Sequence, residues 1–190
     1  MSAVVPTSSA ASIDVWSMDV ETAMLVVQAN RADAIDESLF NYMDMIQWQT
    51  DQMSYLNNAV NELINVKQKF GTSSDDKTYA TVYGSDNTQL LAVNDALKTA
   101  NAVAFPSTNL GPTSDGGTWP GGMLTTTKGS ELQPAIDSLN NMITSLSNQQ
   151  QIDMVNLQGL SNKRDECYSI MTDWVKKIDD NRASIVRNIA

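Results

Sequence analysis

Residues 35–70 read IDESLFNYMDMIQWQTDQMSYLNNAVNELINVKQKF, and the spacing inside this stretch decides the fold class. Apolar side chains recur at Ile35, Leu39, Tyr42, Ile46, Met53, Leu56, Val60, Leu63 and Phe70, with Gln49 and Lys67 at the two remaining steps. The steps alternate between four and three, so nine of eleven positions fall on one line along a helix. Such a heptad seam needs a second helix to cover it. Toward the N-terminus, Val27, Met24 and Val20 prolong the apolar row past Arg31. Ser17 is a suitable N-cap, and Asp19 and Glu21 follow in the first turn, where the helix dipole favours anions. Lys67 and Lys69 precede Gly71, which is a helix stop. At 1.5 Å per residue the first helix is expected to run for roughly 80 Å.

The covering helix is found at the other end of the chain. Ser130-Glu131-Leu132-Gln133 has the form of a capping box, with Pro134 in the first turn. A second seam then follows through Ile136, Leu139, Ile143, Leu146, Gln150, Asp153, Leu157, Leu160, Arg164, Cys167, Met171, Trp174, Ile178, Asn181, Ile185 and Asn188. Eleven of its sixteen positions are apolar, and Lys176, Lys177, Arg182 and Arg187 gather toward the end that favours cations. The expected length is about 90 Å. Gly159 within it costs about 1 kcal/mol relative to Ala and marks a kink or a close backbone approach.

Between the helices the composition changes. Lys77 to Tyr83 (KTYATVY) reads as a short strand, and Thr88 to Val103 as a short helix through Leu90, Leu91, Val93 and Leu97. The following NLGPTSDGGTWPGGMLTTTKGS is turn chemistry, with Pro120-Gly121-Gly122 as the expected turn between two short strands. The predicted fold class is mainly α: two long antiparallel helices forming a coiled coil, with a small mixed or irregular domain inserted between them. The chain divides into a flexible leader (1–16), a first helix (17–70), a turn-rich outer segment with a short helix (71–129) and a C-terminal helix (130–190).

Composition limits the chemistry. The 190 residues carry 22 acids and 12 bases, a net charge of −10, which disfavours nucleic acid as partner because phosphate binding needs a basic surface. No histidine is present, so Ser-His-Asp and Cys-His nucleophiles and imidazole zinc sites are excluded. The single Cys167 can neither close an intramolecular disulfide nor build a thiolate cluster. The excess charge is local: residues 1–66 hold nine acids and one base, residues 67–128 five of each, and residues 129–190 eight acids and six bases. The leader MSAVVPTSSAAS lacks the positive n-region and apolar stretch of a Sec signal, and no apolar run reaches the ~20 residues of a membrane span.

Single motifs carry little. The acid pairs Asp36-Glu37, Asp75-Asp76, Asp165-Glu166 and Asp179-Asp180 are solvated surface, since neighbours on a helix do not face each other. The TSDGGT stretch has one acid where a calcium loop needs several. Ser74 to Lys77 fits S-x-x-K without the companion motifs of a serine-lysine enzyme. No P-loop or G-x-G-x-x-G is present. Cys167 and Trp174 are seam residues; Trp119 is expected to anchor the middle segment or meet a partner. No catalytic, cofactor-binding or metal-ligating residue is assigned, and no cofactor is expected.

What remains is excess apolar surface. Met43, Met45, Trp48 and Ile64 on the first helix lie off the seam, as do Met142, Ile152, Met154, Val155, Ile170, Val175, Val186 and Ile189 on the last. An elongated pair leaves such residues uncovered, so the chain reads as incomplete alone, the alternative being a helical bundle closed by the middle segment. The coiled-coil and assembly interface is assigned to Ile35, Leu39, Ile46, Met53, Leu56, Val60 and Leu63 of the first helix. From the second it takes Ile136, Leu139, Ile143, Leu146, Leu157, Leu160, Met171, Trp174, Ile178, Ile185 and Ile189.

In its order of parts the chain resembles the type III secretion extracellular filament and needle-tip proteins, the EspA-like filament subunit in size and the LcrV-like tip protein more distantly. SMDVETAMLVVQANRADAI in the first helix and LNNMITSLSNQQQIDMVNLQGLSN in the last carry the resemblance, which covers both helices and not the middle. The resemblance implies a secreted structural protein at the bacterial cell surface, exported through its N-terminal leader. It implies a dedicated chaperone before export and helical self-assembly on the needle protein into a conduit for translocators and effectors. Translocator pore proteins would dock at its far end, with no membrane span in the chain itself. An intracellular helical chaperone or adaptor that binds a partner coiled coil is the alternative; the leader and the turn-rich insertion of about 60 residues count against it.

Overall fold

The computed structural model describes residues 19–71 and 76–189, with side chains described as far as Arg187. The leader, Ser17 and Ser74-Asp75 lie outside the described residues, as does the side chain of Ile189. The first helix, α1, spans Val20–Phe70 (51 residues). Asp19 holds the cap position: its Oδ1 accepts from the Thr22 backbone N–H at 2.8 Å and its Oδ2 from the Thr22 hydroxyl at 2.9 Å. These bonds, the backbone one foremost, hold its carboxyl below the usual carboxylate range. At the other end Gly71 takes φ 69°, the left-handed residue expected from the Lys-Gly stop.

The final helix, α4, spans Gly129–Ile189 (61 residues). Its capping box is set two residues earlier than the sequence pattern indicated. Glu131 reaches back to accept from the Lys128 backbone N–H at 2.7 Å, so Lys128, not Ser130, holds the cap. Pro134 consequently falls in the second turn of the helix.

Between these helices the chain forms α2 (Tyr79–Tyr83), α3 (Thr88–Thr99), β1 (Leu110–Pro112) and β2 (Thr118–Pro120). Three expectations are corrected here. Lys77 to Tyr83 is not a strand: only Thr78 pairs in extended form, with Lys128, and the next five residues coil. One helical turn stacks the Tyr79 and Tyr83 rings at 4.3 Å and 5°, and both are buried. The α3 helix stops four residues before Val103. Asn101 at φ 48° closes it with a Schellman pair, Ala102 N–H to Leu97 O and Asn101 N–H to Lys98 O. The antiparallel hairpin is joined by Thr113–Gly117, not by Pro120-Gly121-Gly122. In that turn Asp115 accepts from the Thr113 hydroxyl and the Gly117 N–H and pairs with Lys98. Gly121 instead lies after the strand at φ 69°, where an added Cβ would fall 2.2 Å from Val103 Cγ1.

The chain forms two compact units. Tyr42–Val155 is one, and the other combines Met1–Asn41 with Asn156–Ala190. In Tyr42–Val155 the core joins Leu56, Ala59, Leu63 and Val66 of α1 with Leu132, Ala135, Ile136 and Leu139 of α4. Tyr79, Leu90, Val93, Leu97, Phe105 and Met123 of the middle segment complete it. The inserted segment is therefore the third layer of this core and not an outer appendage of turns. Asn94, fully buried, ties α3 to the hairpin region: its Nδ2 donates to Pro112 O (2.8 Å) and Met123 O (2.9 Å), and its Oδ1 accepts from Met123 N–H (2.6 Å). The space is tight, since a Cβ on Gly111 would meet Met123 O at 2.5 Å. Trp119 Nε1 donates to Ala102 O at 2.8 Å, which fixes the anchor role expected of it.

The second unit is built from α1 and α4 alone among the described residues. Ala32, Ile35, Leu39 and Cys167 are buried together, with Leu157 and Leu160 packed against them. Arg164, the charged seam position of α4, lies 3.6 Å from Asp36 of α1.

Candidate functional site

All eleven α1 seam positions from Ile35 to Phe70 are buried or half-buried, and so are the α4 positions from Ile136 to Ile178. Among the assigned interface residues, Ile46, Met53, Ile143, Leu146, Leu157, Leu160, Met171, Trp174 and Ile178 are half-buried, and the remaining described ones but Ile185 are buried. Ile185 is 57% exposed, so the last part of the α4 row faces solvent in the described structure. Cys167 is buried as a small apolar residue of the seam.

Two of the four polar seam positions of the Tyr42–Val155 unit, one from each helix, meet each other. Gln49 (2% exposed) donates through Nε2 to Asp153 Oδ2 at 2.6 Å, and Asp153 is 3% exposed. Gln149 Nε2 donates to the other carboxylate oxygen at 3.1 Å. Gln150 Nε2 reaches back to the Thr50 hydroxyl at 2.8 Å. A buried polar layer that closes only when Gln49 and Asp153 are level fixes helix register, at some cost in stability.

Off the seam, one flank of this helix pair has two fates. Ala59 and Val66 on α1 and Ala135 on α4 are buried in the core that the middle segment completes. A turn or two further along, the same flank is bare. Trp48 (56% exposed), Gln52 and Leu56 of α1 face Met142, Ser145 and Leu146 of α4 across a groove of about 470 Å³. Ala100, Asn101 and Ala102, the residues that terminate α3, close one end of it. Met45 and Ile152, both exposed, sit at helical spacings of three and seven from Trp48 and Ser145 and prolong the flank. Sequence reading found Met45, Trp48, Met142 and Ile152 as off-seam residues. It could not show that Trp48 and Met142 line one groove, nor that the end of α3 lines it with them.

The α1 charges next to Trp48 are acidic. Asp44 and Asp51 stand one turn on either side of Trp48, and α1 carries no base between Arg31 and Lys67. In α4 the first base is Lys163. The groove combines an aromatic and several aliphatic side chains with Asp44 and Asp51 one turn to either side of Trp48. Among the described residues no group of histidine, cysteine or acid side chains has metal-ligand geometry. No described helix is long and apolar enough to cross a membrane.

Comparison of the chain with protein-family models, curated proteins and solved structures gave no match, so the functional reading rests on the chain's own residues.

Proposed function

We propose that this chain is a self-assembling structural subunit, of the kind that builds type III secretion filaments or needle tips, and that it forms a conduit for exported proteins. One observation carries the reading. Large apolar side chains stand exposed in a row on helices whose seams are already satisfied, as with Met45, Trp48, Met142 and Ile152. A water-facing row of this kind is stabilised by burial against another protein surface, at about 25 cal/mol per Å² of apolar area. If the surface met is a different part of a second copy, the contact is heterologous, and repetition gives a helical array when it does not close. The order of leader, acidic helix, insertion and C-terminal helix supports the secretion assignment, with a chaperone partner before export and needle and translocator proteins as later neighbours.

The reading is tested on purified full-length chain by negative-stain microscopy over a concentration series, together with detection in culture supernatant that depends on a secretion apparatus. Filaments or discrete oligomers and apparatus-dependent export are expected. A compact monomer at every concentration, retained inside the cell, would contradict the reading and favour the adaptor. Ile185→Glu should prevent assembly while leaving the monomer folded, because Ile185 is exposed among the described residues. Ile178 is half-buried and a poorer probe, since a charge there also disturbs the helix pair.

A further inference from the structure

The groove lined by Trp48 and Met142 and the end of α4 are complementary in apolar character and charge. Residues 181–187 are all exposed. They include Ile185 and Val186 (57% and 68% exposed), with Arg182 three and four residues before them on the same helical face. Arg187 adds a second positive charge, and no acid occurs from residue 181 to residue 189. This is a short cationic amphipathic helix end with nothing against it among the described residues. The groove offers the opposite set: Trp48, Leu56, Met142 and Leu146 as apolar lining, Asp44 and Asp51 beside them, and no basic side chain on either neighbouring helix segment. It also continues an existing packing surface, for α3 covers the same flank and stops at Ala100–Ala102, where the groove begins.

We propose that the last two turns of α4 from a second copy dock in this groove, taking up the third-layer position where α3 ends. Ile185 and Val186 of the incoming helix pack into the groove that Trp48 and Met142 line, and the Arg182 and Arg187 charges lie toward the Asp44 and Asp51 side of it. A second copy is the occupant, since every chain carries both the groove and the cationic apolar surface that fits it. The contact joins unlike surfaces and leaves each copy with a free groove or a free helix end, which is the requirement for open-ended growth. This proposal rests on the self-assembly reading and names the surfaces that carry it.

Mixed crosslinking of full-length chains tests it. Both chains carry Cys167→Ala, with folding checked by circular dichroism; one adds Ser145→Cys in the groove and the other Ile185→Cys at the helix end. Under mild oxidation the mixed disulfide should dominate over both same-variant disulfides. Independently, Arg182→Glu with Arg187→Glu should weaken association about tenfold, and adding Asp44→Arg with Asp51→Arg to that chain should restore it. Trp48→Ala, which leaves the buried seam intact, should weaken association about thirtyfold. A wild-type chain that never associates would overturn the self-assembly reading itself. A wild-type chain that associates, yet gives no excess of the 145–185 crosslink and no charge-swap rescue, would overturn only this contact. A crosslink from Ser145→Cys to Ser12→Cys within one chain would place the leader in the groove and also overturn it.

Discussion

The same two helices are used in two ways. Within Tyr42–Val155 the α1–α4 seam is backed by a third layer, and the buried set runs from Leu56 through Tyr79, Leu97 and Met123 to Leu139. In the unit that holds residues 19–41 and 156–189, the core among the described residues is the seam residues Ile35, Leu39 and Cys167 with Ala32 beside them, flanked by Leu157 and Leu160. Heptad spacing alone does not produce a deep core. It yields a stripe, and the number of residues that become wholly inaccessible depends on what covers the flank beside that stripe. Side chains on an uncovered flank, such as Phe40 at 67% exposure and Val175, stay in water unless another chain supplies the cover.

The largest expected contrast comes from core truncation. Leu63→Ala or Leu97→Ala, in the three-layer region, should cost about 3–5 kcal/mol, because surrounding side chains cannot collapse into the space. Leu39→Ala, where two helices can close toward each other, should cost about 2–3 kcal/mol by urea denaturation. Equal losses at the three positions would erase the distinction between the regions.

Asn94→Ala comes next. Removing the amide strips the hydrogen bond from Met123 N–H and from two carbonyls around the hairpin, the two bonds to Met123 being buried, at about 2–4 kcal/mol in total. Because Asn94 belongs to the inserted layer, its loss should also expose amides of the hairpin region to hydrogen exchange before those of the α1–α4 seam.

The polar layer gives a smaller and more diagnostic effect. Asp153→Leu alone leaves Gln49 buried without its acceptor and should cost about 1–3 kcal/mol. Adding Gln49→Leu should recover much of that loss, since an apolar pair of similar size is tolerated in a seam. The double variant should then populate altered helix register, read by spin-label distances between α1 and α4. Retention of one sharp distance would remove the register role.

The smallest effect is at the hairpin turn. Lys98 first, then the Thr113 hydroxyl and the Gly117 N–H, hold the Asp115 carboxyl well below the usual carboxylate range. A depressed folded-state pKa contributes stability that is full above the unfolded value near 4 and is lost as pH falls through the folded value. The stability gap between wild type and Asp115→Asn should therefore be present at pH 7 and shrink below pH 4, and it should be modest because the group is solvent-screened. A gap that widened on acidification would contradict this sign.

Much of the helical frame was legible because seams are periodic. The stop at Gly71 and the burial of each α1 seam position follow from spacing and chain chirality alone. The misread parts lie where tertiary contacts outweigh local pattern. KTYATVY alternates well enough for a strand, yet Tyr79 gains more as part of a turn that lets its hydroxyl donate to Asp86 O and accept from Leu90 N–H. Pro120-Gly121-Gly122 has turn composition, but Gly121 is needed for close approach to Val103 and Phe105, and the Thr113–Gly117 loop is satisfied by Asp115 together with its own backbone bonds. The groove was half legible. Its apolar residues were recognisable as off-seam, while the juxtaposition of Trp48, Met142 and Ala102 depends on register and on where α3 ends.

Hydrogen exchange of the full chain as a function of protein concentration tests the central claim most directly. The account predicts that amides of α1 and α4 within Tyr42–Val155 are protected at every concentration. Amides of α4 beyond Met171 should exchange quickly in dilute solution and gain protection as copies associate. Protection of that segment that does not change with concentration, in a chain that stays monomeric, would contradict it.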